Sequence, residues 1–278
     1  MKNYIALLFM IVMGYSVMAQ PIHLMTYNIR YANENDGENI WDNRKEKIVK
    51  MINYYEPGIF GIQEGLSKQV EYLDKSLKDF NFVGVGRDDG KKKGEYSAIF
   101  YNKKKYQELE NGTFWLSETP EKVSVGWDAA LERICTYALF KDKQTNKTFW
   151  VFNTHFDHRG HQARVNSAKL ILEMINKKTD LSKNAVVLMG DFNLTPEKEG
   201  IQTLISQLND SKMISEKEPY GPVGSANGFD TTRIMTGRID YIFVKNLKVK
   251  QYAQLNDRRD NNLYPSDHLP VLIEAYGL

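Results

Sequence analysis

Six apolar runs in this chain are flanked by side chains that could build a catalytic site. The clearest case is Val186-Val187-Leu188-Met189-Gly190-Asp191-Phe192-Asn193. Four apolar residues in a row, two of them β-branched, predict a strand buried on both faces. Gly190 permits a tight turn. Asp191 and Asn193, two residues apart on an extended chain, then face a common space. Thr195-Pro196 ends the strand. A carboxylate and an amide at the mouth of a buried strand are costly to leave unused, which favours a catalytic site over a satisfied turn. Asn28, Glu64, His155, Asp240 and the pair Asp267-His268 flank similar runs. Three of the five histidines, His155, His158 and His161, lie in one seven-residue span, and a fourth, His268, adjoins Asp267. A set of unrelated local turns does not predict such repetition.

The elements that must position these groups can be read in order. Ile22 to Ile29 alternates as a strand. Asn43 to Tyr55 carries Ile48, Met51, Ile52 and Tyr55 at helical spacing. Ile59 to Ile62 is a second buried strand that delivers Gln63-Glu64, and Ser67 is placed to cap a helix across Val70, Leu73 and Leu77. After a charged loop, Asp88 to Gly94, strands are expected at Ser97 to Tyr101, Thr113 to Leu116, Arg133 to Phe140 and Phe149 to Phe156. A helix over Gln162 to Lys177 precedes the central strand. A short helix over Glu197 to Leu208, a Gly/Pro/Ser-rich loop and two strands, Ile239 to Val244 and Pro270 to Ala275, complete the chain. The pattern predicts an α/β fold of four layers, two packed and mainly antiparallel β-sheets flanked by helices.

Composition sets limits. The chain has 278 residues, 42% hydrophobic and 26% charged, with a formal charge of +2, so it lacks the general basic field of a dedicated nucleic-acid binder. Met1-Lys2, the apolar run Ile5 to Met13 and Val17-Met18-Ala19 read as a cleavable signal peptide cut after Ala19. The expected organisation is therefore a leader over residues 1–19 and one domain over 20–278, secreted or periplasmic. The apolar run is too short for stable membrane insertion. The one cysteine, Cys135, sits among apolar residues and reads as a buried hydrophobe, so no internal disulfide is expected.

The segments TYNIR (Thr26–Arg30), GIQEG (Gly61–Gly65), NTHFDH (Asn153–His158), GDFN (Gly190–Asn193), RIDYIF (Arg238–Phe243) and SDHLP (Ser266–Pro270) together resemble the endonuclease/exonuclease/phosphatase superfamily. They stand in the family's order and span almost the whole mature chain. The resemblance implies the four-layer sandwich and hydrolysis of a phosphoester with Mg²⁺, or Mn²⁺ in its place. It implies Glu64 as the principal metal ligand, with Asn28 and Asp267 near the ion. Asp191 would orient or deprotonate the attacking water, and Asn193 would donate to a phosphate oxygen or help hold that water. His268 would contact phosphate with Asp240 on its other nitrogen, and His155 would be a candidate acid for the leaving group. Arg133 could pair with phosphate or belong to a core-rim ion pair. Asp157 and His158 could touch substrate or form a local capping pair. Trp115, Trp127 and Phe229 could line a pocket, or belong to the core.

Near-neutral charge and scattered basic residues favour a small or exposed phosphoester over a polynucleotide, with a secreted nuclease as the alternative. A sphingomyelinase-like phospholipid phosphodiesterase would need an exposed hydrophobic hairpin, for which Thr113 to Leu116 is the nearest candidate. A non-catalytic binding module would be expected to have lost one of the six motifs. A monomer is expected.

Overall fold

Strand periodicity of two, repeated in twelve segments, builds two sheets that share one apolar interface. The computed structural model describes residues 21–278; the expected leader and its cleavage point lie outside the described residues. The first sheet contains β1 (Ile22–Asn28), β2 (Ile59–Gln63), β3 (Phe80–Val83), β4 (Ile99–Asn102), β11 (Lys248–Gln254) and β12 (Val271–Tyr276), in the order β11-β12-β1-β2-β4-β3. The second contains β5 (Tyr106–Trp115), β6 (Ile134–Asp142), β7 (Thr148–His155), β8 (Ala185–Asp191), β9 (Asn209–Asp210) and β10 (Asp240–Lys245), in the order β5-β6-β7-β8-β10-β9. Each sheet has one parallel pair, β1 with β2 and β7 with β8, and is otherwise antiparallel.

Alternate residues of each central strand serve two cores. Val187 and Met189 of β8, Phe149 and Val151 of β7, and Ile242 and Val244 of β10 meet Leu24 and Ile59 between the sheets. Val186, Leu188, Phe152, Tyr241 and Phe243 point the other way, onto α3 (His161–Lys178) and α4 (Glu199–Ile205). On the far side, Met25, Tyr27, Phe60 and Ile62 pack against α1 (Trp41–Tyr55) and α2 (Ser67–Ser76). The result is the helix, sheet, sheet, helix layering that the sequence pattern predicts.

Several local expectations need correction. Ser67 is the first residue of α2 and not its cap; the N-cap is Leu66, whose N–H donates to the side chain of Gln69 at 3.1 Å. Thr113 to Leu116 is no exposed hairpin. Thr113 to Trp115 ends the ten-residue strand β5, and Phe114, Trp115 and Leu116 are all buried. Strand β11 (KVKQYAQ) escapes a reading based on apolar runs because it is an edge strand that buries only Val249, Tyr252 and Gln254. Gly190 lies inside β8, and its freedom is used for close approach as well as for φ (149°). A Cβ there would stand 2.1 Å from the Thr154 carbonyl oxygen.

One buried polar bridge fastens the sheets together just below the strand ends that carry the polar residues. Asn153 of β7 donates to the carbonyls of Ile62 and Ala98, both at 2.9 Å, and accepts from Gln63 at 2.7 Å. Gln63 also donates to Thr26 Oγ1 at 3.0 Å. Room for the Asn153 amide comes from Gly61, where a Cβ would stand 2.5 Å from its side chain. Replacing Asn153 with Leu takes the amide donor from the buried Ile62 carbonyl, while Ala98 keeps the Ile62 N–H and Gln63 keeps Thr26 Oγ1. An unsatisfied buried group costs on the order of 1–3 kcal/mol, so Asn153→Leu should lose about that much stability in urea unfolding. An unchanged midpoint would show that the bridge contributes nothing.

Candidate active site

Register brings the polar strand ends to one level. His155 lies opposite Asp191, Asp191 opposite Asp240, and Asn28 opposite Gln63, the residue before Glu64. Asp267 and His268 enter from the segment before β12. Three site-bearing loops turn in left-handed backbone at non-glycine residues, Arg30 (φ 56°), Glu64 (φ 63°) and Asn193 (φ 49°). That strain is held by the packing on either side of each residue.

Asn28 stands at the centre. Its amide nitrogen donates to Glu64 Oε1 and to Asp191 Oδ2, both at 3.0 Å, while its oxygen accepts the Arg30 N–H. In this orientation it clamps two carboxylates, one of them the expected metal ligand Glu64. Asp191 is 1% exposed. Burial, reinforced by the charge of Asp240, pushes its carboxyl up to about 7, against the attraction of His268. The resemblance implies that Asp191 orients or deprotonates the water; in the folded chain its carboxyl is poised near neutrality.

His268 donates or shares its Nδ1 proton with Asp240 Oδ2 at 2.8 Å and lies 3.8 Å from Asp191 Oδ2. Burial works against its charge. The carboxylates of Asp240 and Asp191 overcome that and hold the imidazole well above its ordinary range, as an imidazolium. With Nδ1 taken, its Nε2–H is the proton left for a ligand.

His155 is the opposite case. Burial, then the nearby cations of Arg133 and Arg87, hold it well below the ordinary range, so the ring is neutral. The Asn193 amide nitrogen donates to the Phe156 carbonyl at 3.0 Å and reaches His155 Nε2 at 3.2 Å. Nε2 is therefore an acceptor, and the proton sits on Nδ1, 3.8 Å from Glu95 Oε2. In this state the His155 Nε2 carries no proton, and its ring forms the wall of the site beside Asn193. Asn193, whose amide is engaged by protein atoms, positions His155.

Glu64 and Asp267 form the site's acid pair. Glu64 Oε2 accepts the Tyr31 N–H at 3.1 Å. Arg30 Nη1 stands 3.9 Å from Glu64 and 3.7 Å from Asp267. Two carboxylates already gathered about one positive group are a suitable donor set for a hard divalent cation, which prefers oxygen and needs only one or two carboxylates. A second buried group, Asp191, Asp240 and His268, also has atoms close enough to share an ion. The short Asp240–His268 bond and the imidazolium it supports favour Glu64 and Asp267 as the metal side.

The remaining expected residues divide. Arg133 is buried, with Nε 3.6 Å from Asp157 and Nη2 3.0 Å from His158 Nδ1. It belongs to an ion pair behind His155. Asp157 gives one oxygen to the N–H groups of Arg159 and Gly160 and the other to Ala130. These bonds outweigh burial and keep it ionised, so it is a loop cap. His158 is half-exposed beside Arg133. Trp115 is core, its indole N–H on the Arg87 carbonyl. Trp127 sits half-buried in the loop capped by Asp157, away from the acid pair in its bonding. Phe229 follows Asn227 and Gly228, whose N–H groups both donate to the Asp267 carbonyl, and is half-buried at the rim. Sequence reasoning missed Arg87 and Glu95, joined at 2.6 Å beside His155, and Ser266, whose hydroxyl holds the Asn28 carbonyl at 2.6 Å. Ser266 was within the SDHLP motif; nothing local marked Arg87 and Glu95.

Comparison with known proteins agrees with this geometry. The profile of the Endonuclease/Exonuclease/phosphatase family matches residues 25–268. A structure of a family protein from Bacteroides thetaiotaomicron is 40% identical, with 92% of this chain and 98% of that one covered and a TM-score of 0.87. A mannosyl-6-phosphatase from Bacteroides thetaiotaomicron VPI-5482 is 39% identical, with 92% and 99% covered and a TM-score of 0.88. An uncharacterized protein, L388, of Acanthamoeba polyphaga mimivirus is 33% identical over 84% of this chain and 91% of its own length. With the fold, the site and these relatives in agreement, the chain belongs to the Endonuclease/Exonuclease/phosphatase family and is a phosphoester hydrolase.

Proposed function

We propose that this chain is an exported, Mg²⁺-dependent phosphatase acting on a small phosphorylated molecule, with sugar phosphates the first class to try. The observation that carries the reaction is the continuous chain of contacts Glu64–Asn28–Asp191–His268–Asp240. It places an acid that can hold a cation, a carboxylate poised near neutrality and an imidazolium within one cluster. When bound, a divalent cation held by Glu64 and Asp267 would neutralise phosphate oxygens. Asp191 orients the attacking water and accepts its proton as the phosphorus–ester oxygen bond breaks, and the departing alkoxide takes a proton from solvent. His268 donates Nε2–H to the phosphoryl group and keeps its charge through Asp240. Asn193 and neutral His155 hold the wall beside Asp191.

Two features favour a small ester. Arg87 and Arg133, the cations beside His155, are buried and paired with Glu95 and Asp157. They make a local positive wall and no exposed track for a phosphate backbone, which a nuclease would use. The similar mannosyl-6-phosphatase covers nearly its whole length with this chain. Among the described residues no helix is long and apolar enough to cross a membrane. The buried end of β5 also removes the hairpin that a phospholipid reading needed.

Purified protein with Mg²⁺ should release phosphate from mannose 6-phosphate or a related sugar phosphate and leave plasmid DNA and sphingomyelin intact. Asp191→Asn and Glu64→Gln should each lower kcat by about a hundredfold or more, as removal of a proton acceptor or a metal ligand does. Plasmid nicking that disappears in Asp191→Asn would replace this reading with the nuclease.

The neutral state of His155 gives a second test. Its pKa is lowered on folding, so below the unfolded value of 6.5 the unfolded chain takes up a proton that the native chain refuses. Stability from this residue is lost as pH falls below 6.5. The urea midpoint of wild type should therefore fall more steeply from pH 6.5 to 5 than that of His155→Gln. Equal slopes would mean that His155 is not held neutral.

Export rests on the basic start, apolar run and small residues of positions 1–19. Mass spectrometry of protein recovered from the periplasm or medium should give a mature N-terminus at Gln20. Retention of Met1 would remove the leader from this proposal.

A further inference from the structure

The reaction outlined above makes no use of Arg30, yet the fold fixes its guanidinium with care. Asp36 holds Nε at 3.0 Å and Nη2 at 3.1 Å, and the Tyr31 ring lies 4.5 Å beneath. The Arg30 carbonyl accepts from Gln69 at the start of α2 and from Arg44. Two of its three nitrogens are thus occupied, and the third, Nη1, is aimed at Glu64 and Asp267. Its distances of 3.9 and 3.7 Å exceed those of hydrogen bonds. Arg30 therefore acts on the acid pair mainly as a charge and leaves the carboxylate lone pairs open.

We propose that Arg30 is the resident countercharge of the Glu64–Asp267 pair and sets how tightly a divalent cation is held there. The inference rests on the assignment of those two carboxylates to the metal. Without a cation, the two partly buried acids, 3.9 and 3.7 Å from one guanidinium nitrogen, repel each other. A fixed guanidinium relieves that repulsion. Once a cation arrives, the same guanidinium is a like charge a few ångströms from it, and at this range the Coulomb interaction survives solvent and salt. The consequence is a metal-free site that stays folded and a bound ion that is held loosely enough to exchange. An arginine suits this role because it cannot lose its charge and because its fork lets Asp36 fix its direction.

Mn²⁺ titration of the full chain by calorimetry, with thermal unfolding in EDTA and in saturating Mn²⁺, tests this without recourse to activity. Arg30→Gln should bind Mn²⁺ about tenfold more tightly than wild type. It should also melt lower in EDTA, so that the gap between metal-free and metal-loaded Tm widens. Arg30→Lys, which keeps the charge, should stay near wild type. Asp36→Asn loses the same anchor and keeps the guanidinium, so it should not tighten binding. Equal or weaker binding by Arg30→Gln would overturn the inference, as would tightening in Asp36→Asn, which would assign the effect to the loop. If neither wild type nor Arg30→Gln binds Mn²⁺, the metal assignment falls and this inference with it.

Discussion

The Asn28 amide touches a carboxylate from each sheet: Glu64, at the end of β2, and Asp191, at the end of β8. That contact requires the two sheets to be level to within a hydrogen bond's tolerance. Apolar packing alone does not provide such accuracy, because hydrophobic contact is non-directional. The directional constraint comes from below, where Asn153 and Gln63 bridge the sheets. Asn153 bonds the Ile62 carbonyl, two residues before Glu64, and itself lies two residues before His155. A single polar bridge thus places one side chain of the site on each sheet.

Around that frame the site separates charges that would otherwise cancel. His268 and His155 are both buried, yet one is charged and the other neutral. Burial acts on both in the same direction, so the difference lies in their neighbours. Asp240 is hydrogen-bonded to His268, with Asp191 close by, whereas near His155 the cations Arg133 and Arg87 outweigh Asp191 and Glu95. The arginines behind His155 therefore do more than fill space. By pairing with Glu95 and Asp157 they keep a positive wall in place at little net charge, and by keeping His155 neutral they leave Asp191 as the group able to take a proton.

Much of this was legible in the sequence where the chemistry is local. Strands β1, β2, β7 and β8 are strong apolar runs that end in the residues they present, and the period of two predicts which side faces which core. Asn28, Glu64, His155, Asp191, Asp240 and His268 come together as their positions at strand ends predict. What was not legible is relational. Arg87 and Glu95 are eight residues apart across a charged loop, and only folding turns them toward His155. Asp157 in NTHFDH could touch substrate or cap its loop, and three backbone N–H groups consume its oxygens. Strand β11 hides its few inward residues among lysines and glutamines.

The roles of Asn28 and Asp191 show why residue type alone underdetermines mechanism. Asparagine can serve a site through its oxygen or its nitrogen, and here the Arg30 N–H bonds the oxygen and so turns the nitrogen toward two acids, one of them Glu64. Aspartate is a weak base at its ordinary pKa. At 1% exposure and beside Asp240 the same carboxyl is shifted toward the range in which it can accept a proton and release it again. Both changes arise from one arrangement. The amide that clamps Asp191 partly stabilises its charge, while burial and Asp240 resist it, and the balance between these opposing effects leaves the group near neutrality rather than at either extreme. Loss of burial would return Asp191 to an ordinary acid, whereas loss of Asn28 and His268 would leave it protonated. Either change would remove a working base from a site in which every catalytic atom was still present.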